Sequence, residues 1–442
     1  MLSLNCKIVI YEINENDAEK AIEINFVNQI DIESTWREFT DTATITLPRF
    51  IDPEITGLEK KDKNFWEHLQ LWARHHPHIE IFLGYNGREH LAFKGIIRDV
   101  KASVPVTLVC EDDMYHLKTK MITYSAKEAT LKSIVQSFTP VYNAIGQEIE
   151  VDFDEQEVLG AFITDKPMTP VKILEKLKDD FGIYSFIRCF KEIKGDKVTY
   201  KSRLVIGKEY QINHGNNANT FNNNDDTLNL GGNFIFHENI IEDELEYKFK
   251  EDIQVKVTFI AKGVDENDEV KVTYPDDKQD GQDIDYVLMK HSEYREEFFN
   301  NVIFNKQGNR DLTKEAEELT FYIFEHDLKE KRKDKNKLIV LRKKLLKMAK
   351  RRLELIKHDG FTGSFTTFGD ALFDEKDIKK NIGGFVRHGN YIKLHEQDRV
   401  FKVGKIEDHQ DYYVDGVSYS FGESGFRQTI QLGQERKLKK VD

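Results

Sequence analysis

Apolar and polar positions alternate over short runs, and these runs cluster toward the two ends of the chain. Near the start, Lys7-Ile8-Val9-Ile10-Tyr11 is β-rich. Thr42-Ala43-Thr44-Ile45-Thr46-Leu47 alternates with period two and stops at Pro48. His78 to Tyr85 reads as a further strand. Asn86-Gly87 is a hairpin signal, His90 to Ile97 is the return strand, and Val106 to Cys110 is the last of the block. Several short strands between turn signals predict a small barrel or sandwich over residues 1–117. All three tryptophans, Trp36, Trp66 and Trp72, fall in it.

The period then changes. Ala129 to Thr139 and Thr169 to Phe181 have amphipathic helical spacing, with Thr169-Pro170 as start signal and Gly182 as stop. Ile183 to Phe190 and Arg203 to Ile206 are strand-like, so 118–210 is predicted to be a small α/β domain. Nine asparagines in the 21 positions from Asn213 to Asn233 predict a linker over 211–238. Leu245 to Phe249 and Ile253 to Ile260 are β again. The stretch 275–310 is polar and irregular, weakly helical from Tyr294 to Phe299. Leu312 to Lys357 reads as helix with a break near Lys333 to Asn336. Its second half carries Leu338, Leu341, Leu345, Met348 and Leu355 on one stripe, and Gly360 is its expected stop as a C′ glycine. Gly363 to Phe368, Tyr391 to His395, Val400 to Ile406, Tyr412 to Ser420 and Phe426 to Leu432 are strands. No short-period repeat is visible, but β-rich blocks at both ends echo one another.

Composition sharpens this. The 442 residues hold 65 Lys and Arg against 78 Asp and Glu, a net charge of −13. That balance argues against a protein that coats DNA or works on an anionic membrane. Residues 329–352 contain 13 Lys or Arg and only Glu330 and Asp334 as acids, a net of +11, so the rest of the chain carries −13 − 11 = −24. This basic segment reads as a solvated helix face, as a surface for an acidic partner protein, or as a nucleic-acid contact. It lacks the interleaved aromatics that single-stranded nucleic acid needs for stacking.

Cys6, Cys110 and Cys189 are odd in number and widely spaced, which predicts buried thiols in a reducing compartment and no disulfide framework. The N-terminus lacks the basic start and apolar block of a signal peptide, and no apolar run approaches the ~18 residues a membrane span needs. Synthesis in the cytoplasm is the expectation.

Candidate chemistry is sparse. His75, His76 and His78 alternate in direction along a strand and have no Cys or carboxylate at ligand spacing, so an ordinary loop is favoured over a metal site. Glu111-Asp112-Asp113 has no EF-hand spacing. Gly422-Glu423-Ser424-Gly425 departs from the GxSxG nucleophile elbow and runs into a strand instead of a helix. There is no P-loop and no GxGxxG. No catalytic, cofactor or metal residue is predicted, and the chain is not expected to be an enzyme.

Two stretches go further. The first is Gly84-Tyr85-Asn86-Gly87, Ala92-Phe93-Lys94-Gly95-Ile96-Ile97 and Val106-Thr107-Leu108-Val109-Cys110-Glu111-Asp112. The second runs from His358-Asp359-Gly360-Phe361-Thr362-Gly363-Ser364-Phe365-Thr366-Thr367-Phe368-Gly369 through Phe385-Val386-Arg387-His388-Gly389-Asn390-Tyr391-Ile392 and Asp415-Gly416-Val417-Ser418-Tyr419-Ser420-Phe421. It closes at Gly425-Phe426-Arg427-Gln428-Thr429-Ile430-Gln431-Leu432-Gly433. In order and spacing these resemble the two barrels of baseplate hub proteins of contractile phage tails, the late control protein D family, which is related to the hub part of type VI secretion spike proteins. Thr130 to Ile187 resembles that family's small inserted domain. Ala371 stands where the family pattern has proline, Asn390 where it has an acid, and 275–357 is longer and more charged.

The resemblance implies an α+β, mainly β chain with two tube-type β-barrel domains, an inserted small α/β domain and an inserted charged helical segment. The expected division is 1–117, first barrel; 118–210, α/β domain; 211–238, linker; 239–274 with 360–433, second barrel; 275–359, polar and helical insertion; and 434–442, tail. It implies a homotrimer whose six barrels adapt a six-fold tail tube to a three-fold spike, in a virion tail or baseplate. The expected partners are the tube protein, a separate spike protein and baseplate wedge or sheath components. DNA or cargo is expected to pass an acidic channel without specific binding. With nine residues after Gly433 the chain is expected to hold no spike of its own. Alternatives are the same hub role in a type VI or extracellular contractile injection system, a tail-tip peptidoglycan hydrolase, and a DNA-binding accessory protein. Lys343, Lys344, Lys347 and Arg351 are the expected contacts to an acidic partner.

Overall fold

The computed structural model describes residues 3–13, 19–48, 65–143, 148–152, 158–164, 166–194, 197–208, 230–236, 238–248, 255–263, 269–275, 317–325, 327–356, 360–370, 384–395 and 410–435. The protein is α+β and mainly β.

The first block contains β1 (Leu4–Ile13), β2 (Glu19–Ile24), β3 (Gln29–Thr35), β4 (Thr42–Leu47), helix α1 (Phe65–His75), β5 (His78–Tyr85), β6 (Arg88–Lys101) and β7 (Val106–Asp112). The strands are antiparallel in the order β3-β4-β7-β6-β5-β1-β2. Period two is plain in β4, where Ala43, Ile45 and Leu47 are buried and the threonines between them are not. Asn86 (φ 53°) and Gly87 (φ 78°) are both left-handed, the geometry that matches a two-residue turn to strand twist. Helix α1 lays Leu69 and Trp72 on the sheet.

A 3₁₀ turn at Asp113–Lys118 leads into β8 (Ser125–Thr130), α2 (Leu131–Asn143), β9 (Glu148–Asp152), β10 (Val158–Ile163), α3 (Pro170–Phe181), β11 (Ile183–Lys194) and β12 (Lys197–Lys208). These have their own core, including Met114, Phe138, Leu177 and Ile206. Helix α2 starts two residues later than its sequence suggests. Thr130 and Ser133 exchange side-chain-to-backbone hydrogen bonds (3.2 and 3.0 Å), which fixes the start at Thr130. Pro170 opens α3 and left-handed Gly182 closes it, its N–H returning to Leu177 and Lys178; Thr169 makes no side-chain cap bond.

The remaining elements are β13 (Leu230–Ile235), β14 (Ile240–Asp243), β15 (Glu246–Lys248), β16 (Val255–Lys262), β17 (Glu269–Tyr274), β18 (Glu317–Phe324), α4 (Leu328–Lys333), α5 (Lys335–Ile356), β19 (Gly360–Thr362), β20 (Ser364–Phe368), β21 (Tyr391–His395), β22 (Gln410–Gly422) and β23 (Gly425–Glu435). The path β14-β20-β23-β22 continues through β22–β3 pairing into the first block. Both terminal β blocks thus belong to one thirteen-stranded sheet, with β13 and β21 branching off β22. They share one apolar core that includes Ile30, Ile45, Leu108, Phe234, Phe365 and Phe426.

Four expectations are corrected. The end of the expected Asn-rich linker is strand β13, pairing in parallel with β21, because Phe234 is an apolar residue the core can bury. Residues 255–274 leave the second β block and pair with β18 in a separate sheet, β17-β16-β18. Glu317 to Phe324, expected to be helical, is β18, in which Phe321 and Ile323 pack toward the core of that sheet. Gly360 is a strand residue at φ 138°, where an added Cβ would stand 3.2 Å from the Tyr412 hydroxyl. The expected break is real: Asp334 leaves helical geometry and its carboxylate accepts the Asn336 N–H (2.9 Å), capping α5. The expected features at 275–310 (apart from residue 275), at Val400 to Ile406 and at 211–229 lie outside the described residues.

Candidate functional site: a buried polar junction and a basic helix

All three blocks meet at one set of polar side chains. Ser34 (β3), Asp41 (before β4) and Asp112 (β7) come from the first block, Arg188 and Cys189 (β11) from the α/β block, and Arg387, His388 (before β21) and Tyr419 (β22) from the last. Ser34 Oγ is 2.6 Å from Asp41 Oδ2 and 2.6 Å from His388 Nδ1. Asp41 and Asp112 clasp each other through the backbone: each N–H bonds the other residue, to Asp112 Oδ2 (3.1 Å) and to the Asp41 carbonyl (3.0 Å). Asp112 also accepts the Met114 N–H (3.0 Å). Arg188 donates to the His388 carbonyl, and Arg387 donates to Cys189 O (3.1 Å) and Leu91 O (2.8 Å). Tyr419 donates to Val386 O.

Burial governs the protonation states. It raises Asp41 to about 6 against the pull of Ser34 and Arg188. It holds Asp112 well above the usual carboxylate range, with Asp41 adding to the effect. It lowers Arg188 to about 10, with Arg387 repelling it further, and drives His388 well below the usual imidazole value, with both arginines adding. In a nucleophilic triad the carboxylate orients the imidazole and the imidazole contacts the serine. Here carboxylate and imidazole both contact Ser34, so the cluster is built as a clasp.

Beside it, β22 and β3 are stitched together. Trp36 Nε1 donates to Asp415 Oδ1 (3.1 Å), Thr35 Oγ1 to the Asp415 carbonyl (2.9 Å), and Arg37 to Asp415 Oδ2. Tyr85 OH donates to the Phe426 carbonyl (2.6 Å) and accepts its N–H (3.1 Å).

The expected partner residues lie on α5. Its stripe Leu338, Leu341, Leu345 and Met348 packs toward the three-stranded sheet, and continues through Ala349, Leu353 and Ile356. Leu355 was expected in this stripe, but its side chain is outside the described residues. Lys343 and Lys347 are exposed. Lys344 is half-buried with Nζ 3.5 Å from Glu325, a buried acid that also takes Lys331 (2.7 Å). The Arg351 side chain lies outside the described residues. The structure thus brings Lys343 and Lys347 onto one open face and turns Lys344 toward the fold.

The other sequence candidates disperse. His76 Nδ1 lies 3.1 Å from the Ile97 carbonyl and His78 stands 3.9 Å from Asp113. Glu111 pairs with Arg98 (2.5 Å) and Lys118 (2.6 Å). No group of three ligating side chains has metal spacing among the described residues. Gly422 to Gly425 is the β22–β23 hairpin turn. Sequence reasoning missed the junction, although Asp112 lay in the acidic triplet and Arg387-His388 in a family-like motif.

No protein-family model matches the chain, and no curated protein matches it. Solved structures do. The tail protein from Neisseria meningitidis MC58 aligns over 98% of this chain and 97% of its own, at 12% identity and a TM-score of 0.53. The 43 kDa tail protein of prophage MuSo2 from Shewanella oneidensis aligns over 97% and 98%, at 11% identity and 0.51. A Francisella PdpA-VgrG complex aligns over all of this chain and 60% of the matched one, at 11% identity and 0.45. The fold is that of the two tail proteins, along nearly the whole length of each. Among the described residues no helix is long and apolar enough to cross a membrane.

Proposed function

We propose that this chain is a structural hub of a contractile injection machine. Three copies form a ring that adapts a six-fold tail tube to a three-fold spike, in a phage tail or in a related secretion or extracellular injection system. The observation that carries the reading is end-to-end agreement in fold with two tail proteins, together with the hub-like motif order in the two β blocks. A sheet that fuses both blocks, pinned to the α/β block by hydrogen bonds of Arg188 and Arg387, suits a part that transmits force without rearranging. The expected setting is the virion tail or baseplate, with a tube protein, a separate spike and wedge or sheath components as neighbours.

Light scattering of the purified chain tests this. A species of three times 51.7 kDa, alone or on adding tube and spike proteins, supports the reading; a monomer under both conditions refutes it.

The open face of α5 is the proposed contact to an acidic neighbour in that assembly. Lys335, Lys337, Arg342, Lys343 and Lys347 are exposed, with no acid partner among the described residues, and exposed Ile339 and Val340 lie among them. An apolar centre with a charged rim is the anatomy of a protein interface. Replacing Lys343, Lys347 and Arg351 with Glu should weaken co-assembly and leave folding intact. Lys344→Glu should instead destabilise, because it faces buried Glu325. Undiminished co-assembly of the triple variant at 0.15 M salt refutes the contact.

A further inference from the structure

The crevice at the three-block junction holds two guanidinium groups without an ion pair, and an unused donor. Arg188 and Arg387 both line it, one from the α/β block and one from the last β block. Their hydrogen bonds go to carbonyls of His388, Cys189 and Leu91, and among the described residues no carboxylate lies within ion-pair distance of either guanidinium. Arg188 is 5% exposed, and its Nε is buried without a hydrogen-bond partner. Lys94, also in the lining, stands 3.7 Å from Glu80 and is balanced by it.

Of the two carboxyls in the lining, Asp112 accepts two backbone N–H groups, and burial raises it well above the usual carboxylate range, with Asp41 adding to the effect. Neither carboxyl stands within ion-pair distance of a guanidinium, so both arginines depend on carbonyl acceptors among the described residues. An uncompensated buried charge is costly, and so is a buried donor without an acceptor. The crevice measures about 40 Å³, room for one halide-sized ion or a few waters.

We propose that this crevice binds one small monovalent anion of the chloride class, held by Arg188 Nε with Arg387 across from it, so that the ion clamps the α/β block to the fused sheet. Asp41 in the same lining selects against anions of higher charge, and the volume selects against larger ones. The inference rests on the junction alone and stands whether or not the chain is a hub.

The test is thermal unfolding of the full chain at fixed ionic strength, exchanging sodium gluconate for sodium chloride or bromide. The expected result is a saturable rise in midpoint with chloride and bromide that is lost in Arg188→Met. A bromide-soaked crystal should show an anomalous peak at Arg188 Nε. Equal midpoints in gluconate and chloride, the outcome if only water fills the crevice, overturn the proposal. So does a chloride response that Arg188→Met retains in full. If Arg188→Met does not fold, half-buried Arg387→Met carries the same comparison, and the wild-type anion exchange decides without any variant.

Discussion

The β22–β3 seam joins residues some 380 positions apart, and its strength can be measured at Asp415. The carboxylate is 1% exposed and accepts the indole N–H of Trp36, itself buried, at 3.1 Å. It also takes the Arg37 guanidinium, whose side chain is 56% exposed. In Asp415→Ala the indole loses a charged acceptor in a dry site, worth about 1.5–3 kcal/mol. Arg37 turns to water and costs at most about 1 kcal/mol. The sum is about 1.5–4 kcal/mol. Trp36→Phe removes the same donor and also disturbs the edge-on contact with Tyr184 of the α/β block (4.2 Å between ring centres), so its own loss is larger. What isolates the seam is the double-mutant cycle. Because both single variants delete one hydrogen bond, the pair should lose about 1–2 kcal/mol less than the sum of the singles. Urea unfolding followed by circular dichroism of the four proteins gives the coupling. A coupling below about 0.5 kcal/mol would show that the seam is held by backbone pairing alone, and would falsify this reasoning.

Two further outcomes are expected. Leu345→Ala, at a fully buried site between α5 and the three-stranded sheet, should cost about 3–5 kcal/mol. Because Trp36, Trp66 and Trp72 all lie in the other sheet's block, the helical signal should melt early while tryptophan fluorescence holds its midpoint; a joint shift of both refutes the separation. His388→Gln should change how stability depends on acid. A folded-state imidazole value below the usual 6.5 contributes stability that is complete above pH 6.5 and is lost as pH falls below it. Asp41 and Asp112, both raised, act oppositely: their contribution is full below about pH 4 and is lost as pH rises, for Asp41 through about 6. Removing His388 leaves the acids unopposed. The variant should therefore lose less stability than wild type as pH falls below 6.5, read from urea midpoints; parallel pH profiles refute it.

Local periodicity made much of the fold legible. Thr42–Leu47 and His78–Tyr85 are strands at the expected limits, since each lies on a half-buried or buried sheet position that its own alternation specifies. The break before α5 was readable because Asp334 is a capping residue at the right place. Pairing was harder. Val255–Lys262 is a plain strand by sequence, but nothing local says whether it joins the large sheet or pairs with β18. Glu317–Phe324 carries Leu319, Phe321 and Ile323 at period two. That signal was outweighed by the charged helical pattern that follows.

The junction was illegible for a different reason. Asp112 and Asp41 are 71 positions apart, and Ser34 and His388 are 354 apart. Singly, each is a common polar residue whose default place is the surface. Only topology buries Asp112 and His388 and half-buries Ser34 and Asp41, and desolvation there is what shifts their protonation and leaves Arg188 Nε without an acceptor. The basic helix is the reverse case. Its charge excess is visible in a net-charge count, and its apolar stripe follows helical spacing. What the count cannot separate is Lys344 from Lys343, one turned toward buried Glu325 and one exposed. A one-residue step rotates a side chain by about 100° around a helix. The same arithmetic that marks the segment as a partner surface therefore also marks residues that hold the fold, and charge reversal at these two neighbours tells the roles apart.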